Sequence, residues 1–230
     1  MIEVVLQYVL YFMILILCAI PLGTYIRKVM NGERTVLSKV FNPVCKWIYK
    51  ILGINQKEEM DGKTYAKSVL TFSFLGFVFL FVLLLLQGKL PGNPQKLAGV
   101  NVDLAFNLAA SFITNTNWQG YCGESTLSYF TQSMGLTVQK FFSAAVGMAV
   151  LFALIRGFVG CEGEKLGNFW VDLTRIVIHI LLPLNFVLAL LLVSGGVIQN
   201  FDVTKEVELL VLLSGQLLQL LHPMALLIPC

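Results

Sequence analysis

The sequence predicts an all-α membrane protein with several membrane-spanning helices. Of its 230 residues, 57% are hydrophobic and only 13% are charged, whereas a soluble domain typically carries about 25% charged residues. The mean hydropathy of +0.79 points the same way. The apolar residues are concentrated in long uninterrupted runs, which are typical of membrane spans, rather than spaced at helix or strand periodicity.

Each of four apolar runs is close to the ~20 residues that a helix needs to cross the hydrocarbon layer. The first is not expected to be a cleaved signal peptide, because Glu3 precedes it and no Lys or Arg does. The last contains Pro183, which a membrane helix tolerates when neighbouring groups re-satisfy the backbone. The predicted spans are residues 1–26 (apolar from Val4 to Ile26), Ser68–Leu86, Leu136–Val159 and 176–198.

The basic residues predict how these spans are oriented. More than half of the 16 Lys and Arg residues lie in the loop 27–67, which should therefore be cytoplasmic, with the N-terminus outside. The segment 87–135 then lies outside, and the loop 160–175 lies inside. Within the basic loop, Val36–Ile54 is either an amphipathic segment on the membrane surface or a solvated loop. The basic residues of this loop are Arg27, Lys28, Arg34, Lys39, Lys46, Lys50, Lys57, Lys63 and Lys67.

A short apolar segment, Asn101–Ile113, lies between the second and third spans. Asn101 suits a helix N-cap, and Asp103 suits the positive first turn. The helix would have about three turns, too few to cross a bilayer, so it is a candidate re-entrant helix.

A polar, uncharged run, Thr114–Tyr121, follows this helix directly. Non-helical backbone at membrane depth is tolerated only inside protein or beside a watery cavity, where its carbonyl oxygens can replace the hydration shell of a cation. Because the run has no carboxylate, it favours potassium or sodium over calcium. An ordinary polar extracellular loop remains the alternative reading of this composition.

The remaining candidate groups predict no enzyme chemistry. The cysteines are scattered, which is unlike a disulfide framework or a zinc site, and no motif for ATP hydrolysis is present. A net charge of +3 gives no reason to expect nucleic acid binding. His179 is expected to serve helix packing or an interfacial role rather than ion transport, and Asp172 and Arg175 either pair or mark the cytoplasmic boundary.

The segment Ser111–Gln119, followed by Gly123–Phe130, resembles the first pore loop of the potassium-binding subunit of the Kdp potassium-transporting ATPase. The resemblance extends from about Leu22 to about Phe201. Further matching segments are Pro21–Gly23, Gly135–Phe141, Phe152–Arg156, Leu166–Arg175 and Gln199–Phe201.

This resemblance implies a fold with an extra first helix followed by four helix–pore loop–helix repeats, in a multi-pass protein of the bacterial plasma membrane. It implies potassium as the transported ion, with no organic cofactor. The implied partners are a P-type subunit that hydrolyses ATP and small accessory membrane subunits. The implied selectivity filter is Thr114, Asn115, Thr116 and Asn117, supported by Gln119 and Gly120.

The chain departs from that pattern because it contains one such repeat, residues 68–159, and the first helix of a second. Residues 199–230 form a leucine-rich tail that does not align with a second pore loop. This predicts a truncated or frame-shifted form of the subunit. The alternatives are a channel or symporter subunit of the wider potassium transporter superfamily, and a non-transporting membrane fragment.

Overall fold

The computed structural model describes residues 2–118, 120–159 and 165–197, and the regular elements in these ranges are all helical. A 3₁₀ turn, Gln87–Lys89, follows the third helix. Two π-helical segments, Thr131–Thr137 and Ile176–Leu181, precede the sixth and eighth helices. The helices are α1 (Ile2–Met30), α2 (Ser38–Leu52), α3 (Gly62–Leu86), α4 (Val102–Ile113), α5 (Gly123–Thr126), α6 (Val138–Val159), α7 (Phe169–Arg175) and α8 (Leu182–Ser194).

Among the described residues, four helical stretches are long and apolar enough to cross a membrane, which confirms the prediction of an all-α, multi-pass membrane protein. Three of them begin earlier than the hydropathy predicts, because a helix continues past the first polar residue wherever its backbone hydrogen bonds continue. The predicted tail 199–230 lies outside the described residues. The four stretches are Val4–Met30, Gly62–Lys89, Thr131–Val159 and Phe169–Ser194.

The chain divides into two compact units. Of the described residues, unit 1 combines those up to Tyr65 with those of 148–191, and unit 2 contains those of 66–147 together with 192–197. Unit 1 therefore holds α1, α2 and α7, and unit 2 holds α4 and the polar run that follows it.

In unit 1, the segment for which the sequence left two alternatives open is the amphipathic helix α2. Cys45 and Tyr49 on one stripe of α2 are buried with Val171 and Ile178. Burial raises the pKa of Cys45 to about 11, so the thiol stays neutral and fills space as a small apolar group. The solvated-loop alternative is therefore wrong.

The proline in the fourth span is accommodated as the sequence predicts. Pro183 has no N–H to donate to the carbonyl of His179, four residues earlier. The hydroxyl of Tyr25 donates to that oxygen instead, at 2.6 Å. The side chain of His179 is buried, with Nε2 3.1 Å from Asn42 Oδ1, which supports the packing role expected for it.

A buried ion pair ties α6 to α7 in unit 1. Arg156 donates to both carboxylate oxygens of Asp172, at 2.6 and 3.0 Å, and Tyr65 donates to the same carboxylate at 3.2 Å. Glycine is required at position 167 for this arrangement, because a Cβ there would lie 2.6 Å from Arg156 Nη1. Asp172 thus pairs with Arg156, and the pairing with Arg175 suggested by the sequence is wrong.

We expect Arg156→Met to destabilise the protein by about 3–5 kcal/mol, because Asp172, which is 2% exposed, would keep a buried charge without its partner. The midpoint of thermal unfolding in detergent should fall by roughly 10 °C. Adding Asp172→Asn to this variant should recover part of the loss.

The matched control is Arg27→Met, which breaks the ion pair with Glu33, whose two side chains are 61% and 43% exposed. Exposed pairs contribute only ~0–1 kcal/mol, so the midpoint should move by a few degrees at most. Equal shifts in the two variants would contradict a structural role for the buried pair.

Candidate functional site

The short helix α4 of unit 2 positions the candidate site. It begins after Asn101, whose carbonyl accepts the N–H of Ala105 at 2.8 Å, but the Asn101 side chain makes no capping hydrogen bond, so that part of the prediction is wrong. Twelve residues span about 18 Å, too little to cross the bilayer. The buried core around α4 comprises Leu80, Leu84, Val100, Ala105, Leu108, Ala109, Phe112, Leu127 and Leu136.

A close approach of α3 holds the C-terminal end of α4. A Cβ at Gly76 would lie 3.0 Å from Ile113 Cδ1 and 2.9 Å from Gln139 Oε1. Only glycine fits between these atoms without a shift of the neighbours. Residues from α3, α4 and α6 therefore meet beside the start of the polar run.

Gln87, directly after α3, forms hydrogen bonds with the segments that precede and follow α4. Its side-chain amide is 1% exposed and donates to the carbonyls of Ala98 at 2.6 Å and Thr126 at 2.8 Å. Its oxygen accepts the N–H of Ser128 at 3.2 Å. A fully satisfied buried amide of this kind rigidifies its surroundings.

The polar run folds back onto the last turn of α4 through Ser111. The carbonyl oxygen of Ser111 accepts the N–H groups of Thr116 and Asn117 at 3.0 and 3.3 Å. The hydroxyl oxygen of Ser111 accepts the N–H of Trp118 at 2.6 Å. The N–H groups of the run thus satisfy carbonyls that the helix end leaves unpaired.

The backbone of the run alternates between negative and positive φ. Asn115 and Asn117 have φ values of +58° and +53°, and Asn tolerates this left-handed conformation better than most residues. Between and before them, Thr116 and Thr114 keep negative φ. Thr114, with φ of −82° and ψ of 0°, and the left-handed Asn115 form a pair of the kind that gathers successive N–H groups on one face.

Three of the carbonyl oxygens of Thr114–Asn117 accept no hydrogen bond from the described residues. Within the part of the chain that the structure describes, the carbonyls of Thr114, Thr116 and Asn117 receive no hydrogen bond. The carbonyl of Asn115 is shared with the amide of Asn117 at 3.4 Å. A row of unshared carbonyl oxygens is the kind of ligand set that replaces the hydration shell of a cation.

The two asparagine side chains extend this oxygen-rich surface. Asn117 Nδ2 donates to Asn115 Oδ1 at 3.4 Å, and the hydroxyl of Ser143 on α6 donates to the same oxygen at 3.3 Å. Asn117 Oδ1 is buried and has no hydrogen-bond partner among the residues that the structure describes. A buried oxygen without a donor is costly, and a cation at this position would satisfy it.

The charge of the site is low. Thr114, Asn115, Thr116 and Asn117 contribute only neutral oxygens, and burial raises the pKa of Tyr121, at the end of the run, to about 12, so that phenol is neutral at physiological pH. Over the described residues, no group of three or more His, Cys, Asp or Glu side chains could hold a metal ion. The arrangement suits a weakly held monovalent cation better than a divalent one.

The sequence was compared with models of known protein families. The family model of the potassium-transporting ATPase A subunit, KdpA, matches residues 9–227. The chain belongs to the KdpA family. The match begins earlier and ends later than the resemblance seen in the sequence, and it includes most of the leucine-rich tail.

Curated KdpA relatives are similar over most of the chain. A potassium-transporting ATPase potassium-binding subunit of Clostridium perfringens is 62% identical over 206 residues, 90% of the chain and 36% of that relative. One from Clostridium botulinum is 58% identical over 91% of the chain and 36% of its own length, and one from Listeria welshimeri is 55% identical over 90% and 37%. The chain therefore spans little more than a third of the relatives it matches.

Within this KdpA chain, the predicted filter residues Thr114–Asn117 form one compact turn after α4. Gln119, expected to support the filter, lies outside the described residues, and Gly120 has open space where a Cβ would be. Sequence reasoning missed three supporting residues. Ser111 and Gln87 could have been noticed as polar residues at the ends of apolar helices, whereas Ser143 gives no such signal.

We expect Ser111→Ala to loosen the polar run, because the N–H of Trp118 loses its acceptor at 2.6 Å. A hydrogen bond contributes about 1 kcal/mol, so hydrogen exchange of the Trp118 amide should accelerate roughly five- to tenfold. Ser125→Ala is the control, since its exposed hydroxyl only donates to Cys122 O at 3.4 Å. Unchanged exchange at Trp118 in Ser111→Ala would contradict the anchoring role.

Proposed function

We propose that this chain supplies part of the ion pathway of a potassium-binding and translocating subunit, with Thr114, Asn115, Thr116 and Asn117 as one segment of its selectivity filter. The observation that carries the proposal is the set of free oxygens after α4, three backbone carbonyls and Asn117 Oδ1. A dehydrated potassium ion needs many neutral oxygens, and these groups offer them without a carboxylate.

The orientation of α4 supports the same role. Its C-terminal end carries the negative end of the helix dipole, and the polar run follows immediately at Thr114. A cation beside the run is attracted by this partial charge as well as by the carbonyls. Gln119 and Gly120 would support the filter from the chain that follows.

The remaining filter ligands would come from other repeats of the subunit, because one loop cannot surround an ion. The relatives named above are potassium-transporting ATPase potassium-binding subunits and are nearly three times as long as the matched segment. In the complete assembly, the carbonyls of this chain would face equivalent loops across the pore.

Energy for uptake would come from a partner in the bacterial plasma membrane. The predicted partner is a P-type subunit that hydrolyses ATP, accompanied by small accessory membrane subunits. This chain would select and pass potassium without carrying out the hydrolysis or requiring an organic cofactor. Its basic loop 27–67 would face the cytoplasm, and the mouth of the filter would face outward.

The filter assignment is tested in a chimaera in which this chain replaces the matching part of the Clostridium perfringens relative. Asn115→Asp places a fixed charge among the carbonyls, and Thr116→Val removes a hydroxyl that donates to Ser111 O at 3.2 Å. Each should reduce the discrimination of potassium against sodium and rubidium roughly tenfold, equivalent to about 1.4 kcal/mol. Competition in ion uptake measures this ratio.

The same substitutions away from the polar run provide the controls. Asn101→Asp and Thr137→Val change exposed residues at the start of α4 and before α6, and they should leave ion discrimination unchanged. Unaltered discrimination in both filter variants would contradict the proposed filter.

The ATP-driven mechanism is tested by purifying the tagged chimaera from membranes that also contain the companion subunits. We expect a P-type ATPase subunit to copurify and potassium uptake against a gradient to require ATP, because translocation against a gradient needs an energy source. An unrelated tagged membrane protein serves as the control. Potassium flux without any ATPase would instead favour the channel or symporter alternative.

A further inference from the structure

A polar cavity of about 150 Å³ lies in unit 1, where α1 ends and α2 packs against α7 and the π-helical segment. It exceeds the ~30 Å³ that one water occupies in the liquid, so it admits a polar group of several atoms. Among its lining residues are Val29 near the end of the first span, Lys46 on α2, and Arg175 and His179 in the fourth span. The cavity therefore lies at the boundary of two membrane-spanning helices.

Arg175 brings a positive charge to this cavity, and no carboxylate of the described residues pairs with it. Its neighbour Asp172 is already held by both nitrogens of Arg156. Across the described ranges, Arg175 forms no ion pair, and its guanidinium donates to the carbonyl of Met30 at 2.9 Å. A half-buried guanidinium with further N–H donors is suited to an anion such as phosphate.

The other cavity residues favour an anion as well. Lys46 is exposed at the rim, and the hydroxyl of Ser38, whose oxygen accepts the N–H of Thr35 at 2.8 Å, is a further potential donor in the lining. The lining contains one acid, Glu33, and it is engaged by Arg27 at 3.4 Å. The cavity therefore has a positive balance.

The surface of α2 beside the cavity has the pattern of a helix at the membrane interface. Lys39, Lys46 and Lys50 share one stripe, at helical spacings of seven and four residues. The next stripe exposes apolar side chains, which interfacial helices insert at the boundary between headgroups and acyl chains. These side chains are Val40, Val44, Trp47 and Ile51, exposed by 65%, 42%, 65% and 60%.

We infer that this cavity binds the phosphate headgroup of an anionic phospholipid. Arg175 and Lys46 hold the phosphate, and the apolar stripe of α2 lies beside the lipid's glycerol and acyl region. Basic pockets between helices at the cytoplasmic boundary are suited to anionic headgroups. The position at the ends of two spans favours a lipid over free phosphate, because lipid phosphates are concentrated at this depth and the exposed apolar stripe of α2 lies beside the cavity.

The inference is tested on the purified 230-residue chain in detergent by native mass spectrometry. Retention of phosphatidylglycerol is compared with that of phosphatidylcholine carrying the same acyl chains. Lys46→Gln combined with Arg175→Gln should weaken phosphatidylglycerol retention roughly thirtyfold, at about 1 kcal/mol per charge, and should leave phosphatidylcholine unaffected. Lys46→Gln alone keeps the Arg175 contact with Met30 and should weaken retention a few-fold.

The matched control, Arg34→Gln with Lys57→Gln, removes the same charge from exposed residues of the same loop that do not line the cavity. It should change retention less than about twofold. Equal losses in both double variants, or no loss in either, would overturn the site. Displacement of the lipid by inorganic phosphate at the lipid's own concentration would also overturn it, because the anion would then bind without any contribution from acyl chains.

Discussion

The structure depends on one constraint: inside a bilayer, backbone N–H and C=O groups find no water and must be satisfied within the protein. Long helices meet this requirement along the four apolar stretches. Where a helix is interrupted, another group takes over, as when Tyr25 donates to the carbonyl of His179 opposite Pro183. The most consequential interruption is the polar run after α4.

In that run the constraint is met for the donors but not for the acceptors. Ser111 engages the N–H groups of Thr116, Asn117 and Trp118, while carbonyls of the run and Asn117 Oδ1 remain without donors from the described part of the chain. A cation can supply the missing interaction, which is why unsatisfied oxygens can be tolerated here. The hydrogen bonds that support the backbone of the run therefore also leave the oxygens that the proposed ion site would use.

In unit 1, the pairing of one buried carboxylate, Asp172, determines which arginine remains without an ion pair among the described residues. Asp172 lies beside both Arg156 and Arg175 in the fold, but the bidentate pair with Arg156 takes its two oxygens. Arg175 is left facing a polar cavity near the ends of two spans. Because Asp172 pairs with Arg156, the guanidinium of Arg175 remains available for the anionic headgroup inferred above.

The amino-acid sequence by itself determined the fold class, the four spans, the short helix before the polar run and the residues of the run. These follow from local hydrophobicity and from the composition of short segments. Tertiary structure decided that α2 packs as a helix, that Asp172 pairs with Arg156, and that Gln87, Ser111 and Ser143 support the site. Those outcomes depend on which distant side chains become neighbours in space, and that contact information is absent from any local window of sequence.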